Sequence, residues 1–196
     1  MTSFKVHFIE KEFSYDGTQL RSLFAYLDYR IQGDSVISWI GPCSIDFSHM
    51  VDGEDLLEGA TIAGARMVHF IIEKFHTPLF AAVALQRLFA SICLDLLREK
   101  IGPGEKNGFR ASDLRRDGDD IFLRDGKFSI SIATLSPVSS LIHFAVNCTN
   151  EGTPVKTAAL SDLGLVPQEF AREAIIRLQR EVITIEEATV KVRWVK

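Results

Sequence analysis

The chain has 196 residues, of which 46% are hydrophobic and 24% charged, with a net charge of −4 and a pI near 5.7. That balance excludes a disordered chain, and the length favours one domain spanning 1–196 with a sizeable core. The acidic pI argues against a nucleic-acid binder, because "RASDLRR" and the terminal "KVRWVK" are the only basic clusters.

The N-terminal "MTSFKVHFIEKEF" lacks a basic segment followed by a long apolar run, so it does not read as a signal peptide. "FKVHFIE" (Phe4 to Glu10) alternates and predicts a strand. After "YDG", the spacing of Leu20, Leu23, Phe24 and Leu27 predicts a helix over 18–31. "SVISWIG" (Ser35 to Gly41) predicts a short strand closed by Gly41-Pro42. The acidic segment "SIDFSHMVDGEDLLEGATIAG" reads as a loop with weak helical potential at 54–57. "RMVHFIIEKF" (Arg66 to Phe75) is a nearly continuous apolar run, as in a strand buried on both faces.

Thr77 and Pro78 supply a cap and a first helical residue for a helix running to about Lys100. Gln86, Arg87 and Asp95 interrupt its apolar surface, which predicts a core helix and no membrane span. "GPGEKNG" has glycines and a lysine but not the spacing of a phosphate loop. "DDIFLRDGKFSISIA" (Asp119 to Ala133) reads as a hairpin turning at Asp125-Gly126. "LIHFAVNCT" (Leu141 to Thr149) is a further strand, and "PQEFAREAIIRLQREV" a last helix opened by Pro167. The tail "ITIEEATVKVRWVK" fits both helix and strand spacing. Mixed strands and helices with hairpins in the second half predict an α+β fold with a mixed, largely antiparallel sheet flanked by helices.

Alternation from Lys127 places Lys127, Ser129, Ser131 and Ala133 on one face of the hairpin strand and Phe128, Ile130 and Ile132 on the other. In the next strand Ile142, Phe144, Val146 and Cys148 form the apolar face. If both apolar faces meet one core, Lys127, Ser129, Ser131, His143 and Asn147 share the opposite surface. His69, on the strand before the long helix, would approach that surface if the strands are neighbours.

Other groupings carry less chemistry. "HFIIEKFH" lacks the metalloprotease spacing, so no metal ligand set is assigned. The acidic stretch from Asp46 to Glu58 has oxygen ligands suited to a hard cation, of which Mg²⁺ carried by ATP is the leading candidate. Cys43, Cys93 and Cys148 form no CxxC pair, an odd and widely spaced set that points to reduced thiols in the cytoplasm. No GxSxG elbow accompanies Ser136 or Ser139.

The segments "YDGTQL", "GPCSI", "MVHFIIEKF" and "SISIATLSPVSSLIHFAVNCTNEGTP" resemble an uncharacterised prokaryotic family catalogued as domain of unknown function 366. The resemblance covers most of the chain and implies no particular activity. The second half also resembles the catalytic domain of biotin and lipoate protein ligases: a long helix, an Asp-Asp-apolar strand, a turn, a lysine, a small-residue strand and a strand carrying His. It implies a biotin/lipoate-ligase-like fold. It sets Lys127 at the ligases' essential lysine, Asp119 and Asp120 near their Asn-Asp pair, and His143 near their following His. Gly64, Arg66 and His69 would bound the site from the preceding strand. Where the ligases have Gly after the small residue, this chain has Ile130.

That resemblance implies an ATP-dependent acyl-activating or acyl-transfer enzyme acting on a small carboxylate, with ATP and Mg²⁺ as cofactors. A fixed ammonium there offsets the repulsion of carboxylate and α-phosphate and stabilises the transition state. The alternative is a non-catalytic small-molecule-binding or assembly domain that kept the fold without ligase chemistry. The expected partners are a small-molecule ligand and a second copy of the chain, with neither nucleic acid nor membrane.

Overall fold

A computed structural model describes residues 4–195. Five strands build the main sheet: β1 (Lys5–Phe8), β2 (Ser35–Ser44), β3 (Ala63–Phe75), β7 (Ser129–Leu135) and β8 (Ser139–Asn147). Their spatial order is β1-β2-β3-β8-β7. The β1–β2 pair is parallel and the other three are antiparallel, so the sheet is mixed and largely antiparallel, as the order of elements predicts. Beside it lies a small sheet of β4 (Leu114–Asp117), β5 (Asp120–Leu123) and β6 (Gly126–Lys127). The helices are α1 (Phe24–Tyr29), α2 (Gly53–Glu58), α3 (Leu79–Ile101) and α4 (Pro167–Thr189).

The near-continuous apolar runs of β3 and β8 reflect burial on both faces. One face carries Val36, Val68, Phe70, Ile142, Phe144 and Val146 against Phe89, Leu96 and Leu97 of α3 and Phe170 and Leu178 of α4. Phe89 meets Phe70 and Phe144 edge-on, with ring centroids 5.0 and 5.2 Å away. α3 is long and apolar enough to cross a membrane, but here its buried stripe forms the core of this layer. The other face carries Ile37, Trp39, Met67, Ile71 and Ala145 beneath Tyr15, Phe24 and Ala25.

Several boundaries differ from the sequence expectation for identifiable reasons. The first helix occupies only Phe24–Tyr29, because Leu23 takes a left-handed conformation (φ 63°) and its N–H is captured by Glu73 Oε1 at 2.9 Å. β2 continues past Pro42 to Ser44, with a register shift between Gly41 and Cys43 that accommodates the missing N–H. α3 starts at Leu79 with Pro78 as its N-cap, while Thr77 Oγ1 donates to the Phe75 carbonyl. The ambiguous tail resolves as helix to Thr189, and the remaining described residues are exposed.

The hairpin pivot brings the largest correction. Leu123 pairs with Gly126, so the turn residues are Arg124 (φ 53°) and Asp125. Gly126 is needed for close approach: a Cβ there would stand 2.8 Å from the Thr157 carbonyl carbon and oxygen. Phe128 then carries the chain from the small sheet to the large one, donating to the Ile121 carbonyl (2.7 Å) and accepting from Asn147 N–H (3.1 Å). Phe128 is buried in the helix-side core, and Ser129 pairs with Val146 on that same side. The pleat therefore slips by one residue, and a slip of one exchanges the faces of everything beyond it. Ile130 and Ile132 consequently lie with Ala145 and His143, and Ser129 and Ser131 with Val146 and Phe144. Of the surface of Lys127, Ser129, Ser131, His143 and Asn147 expected from unbroken alternation, Ser129 and Ser131 are turned to the other side of the sheet.

Candidate functional site

A cleft of about 540 Å³ opens on the face opposite the long helices. Its floor is Tyr15, Met67, Ile130, Ile132 and His143, and one wall carries Asp120, Lys127 and Asn147. Facing them are α2 with the chain leading into it, and the loop around Thr153–Thr157.

Lys127 reaches the cleft because β6 is held from three directions. Its N–H donates to the Lys156 carbonyl at 3.1 Å, and its carbonyl accepts from Ala158 N–H at 3.1 Å. That carbonyl also accepts from Asn147 Nδ2 at 3.0 Å, and the same amide reaches the Ala158 carbonyl at 3.1 Å. The ammonium stands 2.8 Å from Asp120 Oδ2, with both side chains half-buried. Burial pushes the Asp120 carboxyl up from its usual value, against the downward pull of the Lys127 hydrogen bond. Asp119, its neighbour, is held separately by Gln86 Nε2 (2.8 Å) and Ser131 Oγ (2.6 Å).

The histidines form a buried chain. His69 Nε2 stands 3.1 Å from the Gly41 carbonyl, and His69 Nδ1 stands 3.2 Å from His143 Nε2. The Tyr15 ring lies flat on His143, with centroids 3.7 Å apart at 14°. Trp39 stacks on His69 at 5.2 Å. Desolvation lowers both imidazoles, His69 to about 4, so both are neutral at physiological pH.

The predicted site residues thus divide. Lys127, Ser131, His143 and Asn147 line the cleft, Asn147 also serving as the brace that holds β6. Ser129 is fully buried, its hydroxyl accepting the Ile121 N–H at 2.8 Å. His69 lies behind His143 and reaches the cleft only through it. Gly64 is buried beside Met67, where a Cβ would stand 3.0 Å from the sulfur. Arg66 pairs with Glu12 at 2.6 Å. Tyr15, Met67, Ile132 and the Thr153–Thr157 loop are additions. Nothing in their local sequence marks them, since pairing such as the Tyr15–Cys43 bridge brings them in from distant segments.

Cys43 is buried, and burial pushes its thiol up to about 12, which leaves it protonated and unreactive. In the acidic segment Asp52 caps α2 by accepting from the N–H groups of Glu54 and Asp55. Among the described residues no group of three or more His, Cys, Asp or Glu side chains is placed to hold a metal ion.

The lining does not suit a nucleoside triphosphate. Among the described residues Lys127 is its single Lys or Arg, against Asp52, Glu54, Asp55, Glu58, Asp119 and Asp120. Burial raises the Asp55 carboxyl, and the neighbouring Asp52 charge adds to the rise. Several phosphate charges would meet repulsion that one lysine does not offset.

Comparison with known proteins places the chain in a family. The profile described as "Domain of unknown function (DUF366)" matches residues 4–193, so the chain belongs to that family. A solved protein of unknown function from Pyrococcus horikoshi is 37% identical, covering 99% of this chain and 100% of that one, with a TM-score of 0.90. A putative lipoate protein ligase from T. acidophilum with bound lipoic acid gives a TM-score of 0.53 at 17% identity, covering 93% and 87% of the two chains. Biotin protein ligase from Leishmania major in complex with biotin gives 0.58 at 12%, covering 97% and 84%. At those identities the two ligases establish the fold alone: it is biotin/lipoate-ligase-like.

Proposed function

We propose that the cleft binds a small organic carboxylate, with Lys127 as its counter-charge and the Tyr15–His143 floor beneath its apolar body. The observation carrying this reading is the placement of Lys127. A lysine braced by Asn147 and by the 156–158 segment is, among the described residues, the single Lys or Arg lining a cleft with an apolar and aromatic floor. Such a cleft, with polar walls over an apolar and aromatic floor, has the character of a small-molecule site. The ligases of similar fold are bound to lipoic acid and to biotin, which supports a small carboxylic acid as the ligand class.

The chemistry beyond binding divides into two readings. ATP-dependent acyl activation is supported by the fold and by the position of Lys127. A binding domain without ligase chemistry is favoured by the acidic lining and by the side chain of Ile130, which occupies the floor. The geometry weighs toward the second, and no step is assigned through a nucleotide. A cytoplasmic setting accords with three free, buried cysteines.

Calorimetric titration with straight-chain mono- and dicarboxylates, each with and without ATP and Mg²⁺, tests this reading. Carboxylate binding that needs Lys127 and is indifferent to ATP is expected. Binding that requires ATP and Mg²⁺ would restore the acyl-activating reading.

A further inference from the structure

The histidine chain behind the floor has a direction, and the direction constrains the ligand. A carbonyl oxygen only accepts, so His69 Nε2, 3.1 Å from the Gly41 carbonyl, carries a proton. In a neutral ring the other nitrogen is then a lone pair, so His69 Nδ1 accepts. His143 Nε2, 3.2 Å from it, must therefore donate. That leaves Nδ1 of His143 as a bare acceptor. His143 is 2% exposed yet lines the cleft, and among the described residues no protein group hydrogen-bonds its Nδ1. The little of this ring that is not covered by protein faces the cleft, so Nδ1 has its open side where a ligand would lie.

We propose that Nδ1 of His143 receives an N–H or O–H from the bound molecule, so that the cleft selects a small carboxylate carrying a neutral hydrogen-bond donor, an amide or a hydroxyl, at its far end. His69 is the positioning residue that holds His143 in the accepting tautomer. Desolvation keeps both rings neutral, so the direction of the chain does not reverse near neutral pH. The span follows from the strand. Asn147, which braces Lys127, lies four residues from His143 on β8, roughly 13 Å at the usual strand rise. A carboxylate at Lys127 and a donor at His143 therefore imply an extended ligand. The inference rests on the carboxylate reading of the cleft, and its test separates the two.

Two probes of equal length, suberic acid monoamide and monomethyl suberate, differ in whether the far end donates. The monoamide is expected to bind about tenfold more tightly, since the ester leaves the acceptor unsatisfied. Two-bond ¹H–¹⁵N spectra of the labelled protein are expected to show His69 and His143 both as Nε2–H tautomers, with the monoamide shifting Nδ1 of His143. In His69→Leu the tautomer is no longer imposed, so the preference for the monoamide falls toward unity while carboxylate binding through Lys127 persists. Equal binding of the two probes, binding of neither, an Nδ1–H tautomer of His143, or an undiminished preference in His69→Leu overturns the inference. Should His69→Leu fail to fold, the wild-type spectra and the probe pair still decide. A Lys127→Ala protein that binds both probes like wild type overturns the carboxylate reading alone, and the monoamide preference in that variant still reports on His143.

Discussion

The ammonium of Lys127 lies 2.8 Å from the carboxylate of Asp120, so this cation of the cleft is already paired before any ligand arrives. An incoming carboxylate must displace Asp120 or share the ammonium with it. Asp120→Asn removes the competitor and keeps the shape. The variant is expected to bind suberic acid monoamide several-fold more tightly, with a charge-assisted hydrogen bond gained at the ligand. Isothermal titration measures this, and weaker binding by the variant would mean that Asp120 helps hold the ligand.

The same pair gives the affinity a pH dependence. Burial raises the carboxyls of Asp120 and Asp55, so both take up protons sooner than an ordinary aspartate as pH falls. Protonation frees Lys127 and lowers the negative charge in the cleft. Carboxylate affinity is therefore expected to rise as pH drops from neutral toward the raised values, until the ligand itself protonates. Stability moves in the same direction. An acid whose pKa is raised in the folded state destabilises the fold while ionised, and that cost is relieved as pH falls through the raised value. Titrations across this range check the sign, and Asp120→Asn should flatten the curve.

The glycine beside Lys127 governs its placement. Gly126→Ala would put a methyl group 2.8 Å from the backbone of Thr157, which cannot withdraw without losing the hydrogen bonds that brace β6. A loss of about 1–3 kcal/mol is expected, together with loss of suberic acid monoamide binding. Gly104→Ala, whose Cβ meets nothing within 4 Å, is the matched control. Urea unfolding of the two variants makes the comparison.

Much of this fold was legible because its signals are local. The apolar run of Arg66 to Phe75 marked β3, Pro167 opened α4, and the Leu79 to Lys100 stripe marked α3 within a residue of its end. Lys127 and His143 were found from their strands, and both line the cleft. The facing of the hairpin was not legible. Phe128 leaves one sheet for another, and a strand that changes partners carries no mark of it in an alternating sequence. Gly126 read as a turn residue because Asp-Gly usually is one, whereas contact with Thr157 sets its role here. Tyr15 sits on His143 through a single bridge to Cys43, a long-range contact that no periodicity reports.

Ile130 is the residue where the resemblance to the ligases breaks, and it lies on the cleft floor packed against the Trp39 and Ile71 cluster. Ile130→Gly should cost about 2–4 kcal/mol, from the lost packing and the freer backbone. In return the floor deepens. A branched carboxylate such as 4-methyloctanoate is expected to gain affinity relative to straight-chain octanoate. Unfolding and titration on one preparation would register both effects, and unchanged selectivity would show that Ile130 does not bound the ligand.

Titration of Lys127→Ala with suberic acid monoamide measures most directly whether Lys127 holds the carboxylate. The free variant should melt within about 2–4 °C of wild type, because the ion pair it removes is half exposed. Its affinity for suberic acid monoamide should fall about 10–100-fold, the worth of a charged hydrogen bond. A Lys127→Ala protein that binds the monoamide as tightly as wild type would contradict the role of Lys127 as the counter-charge.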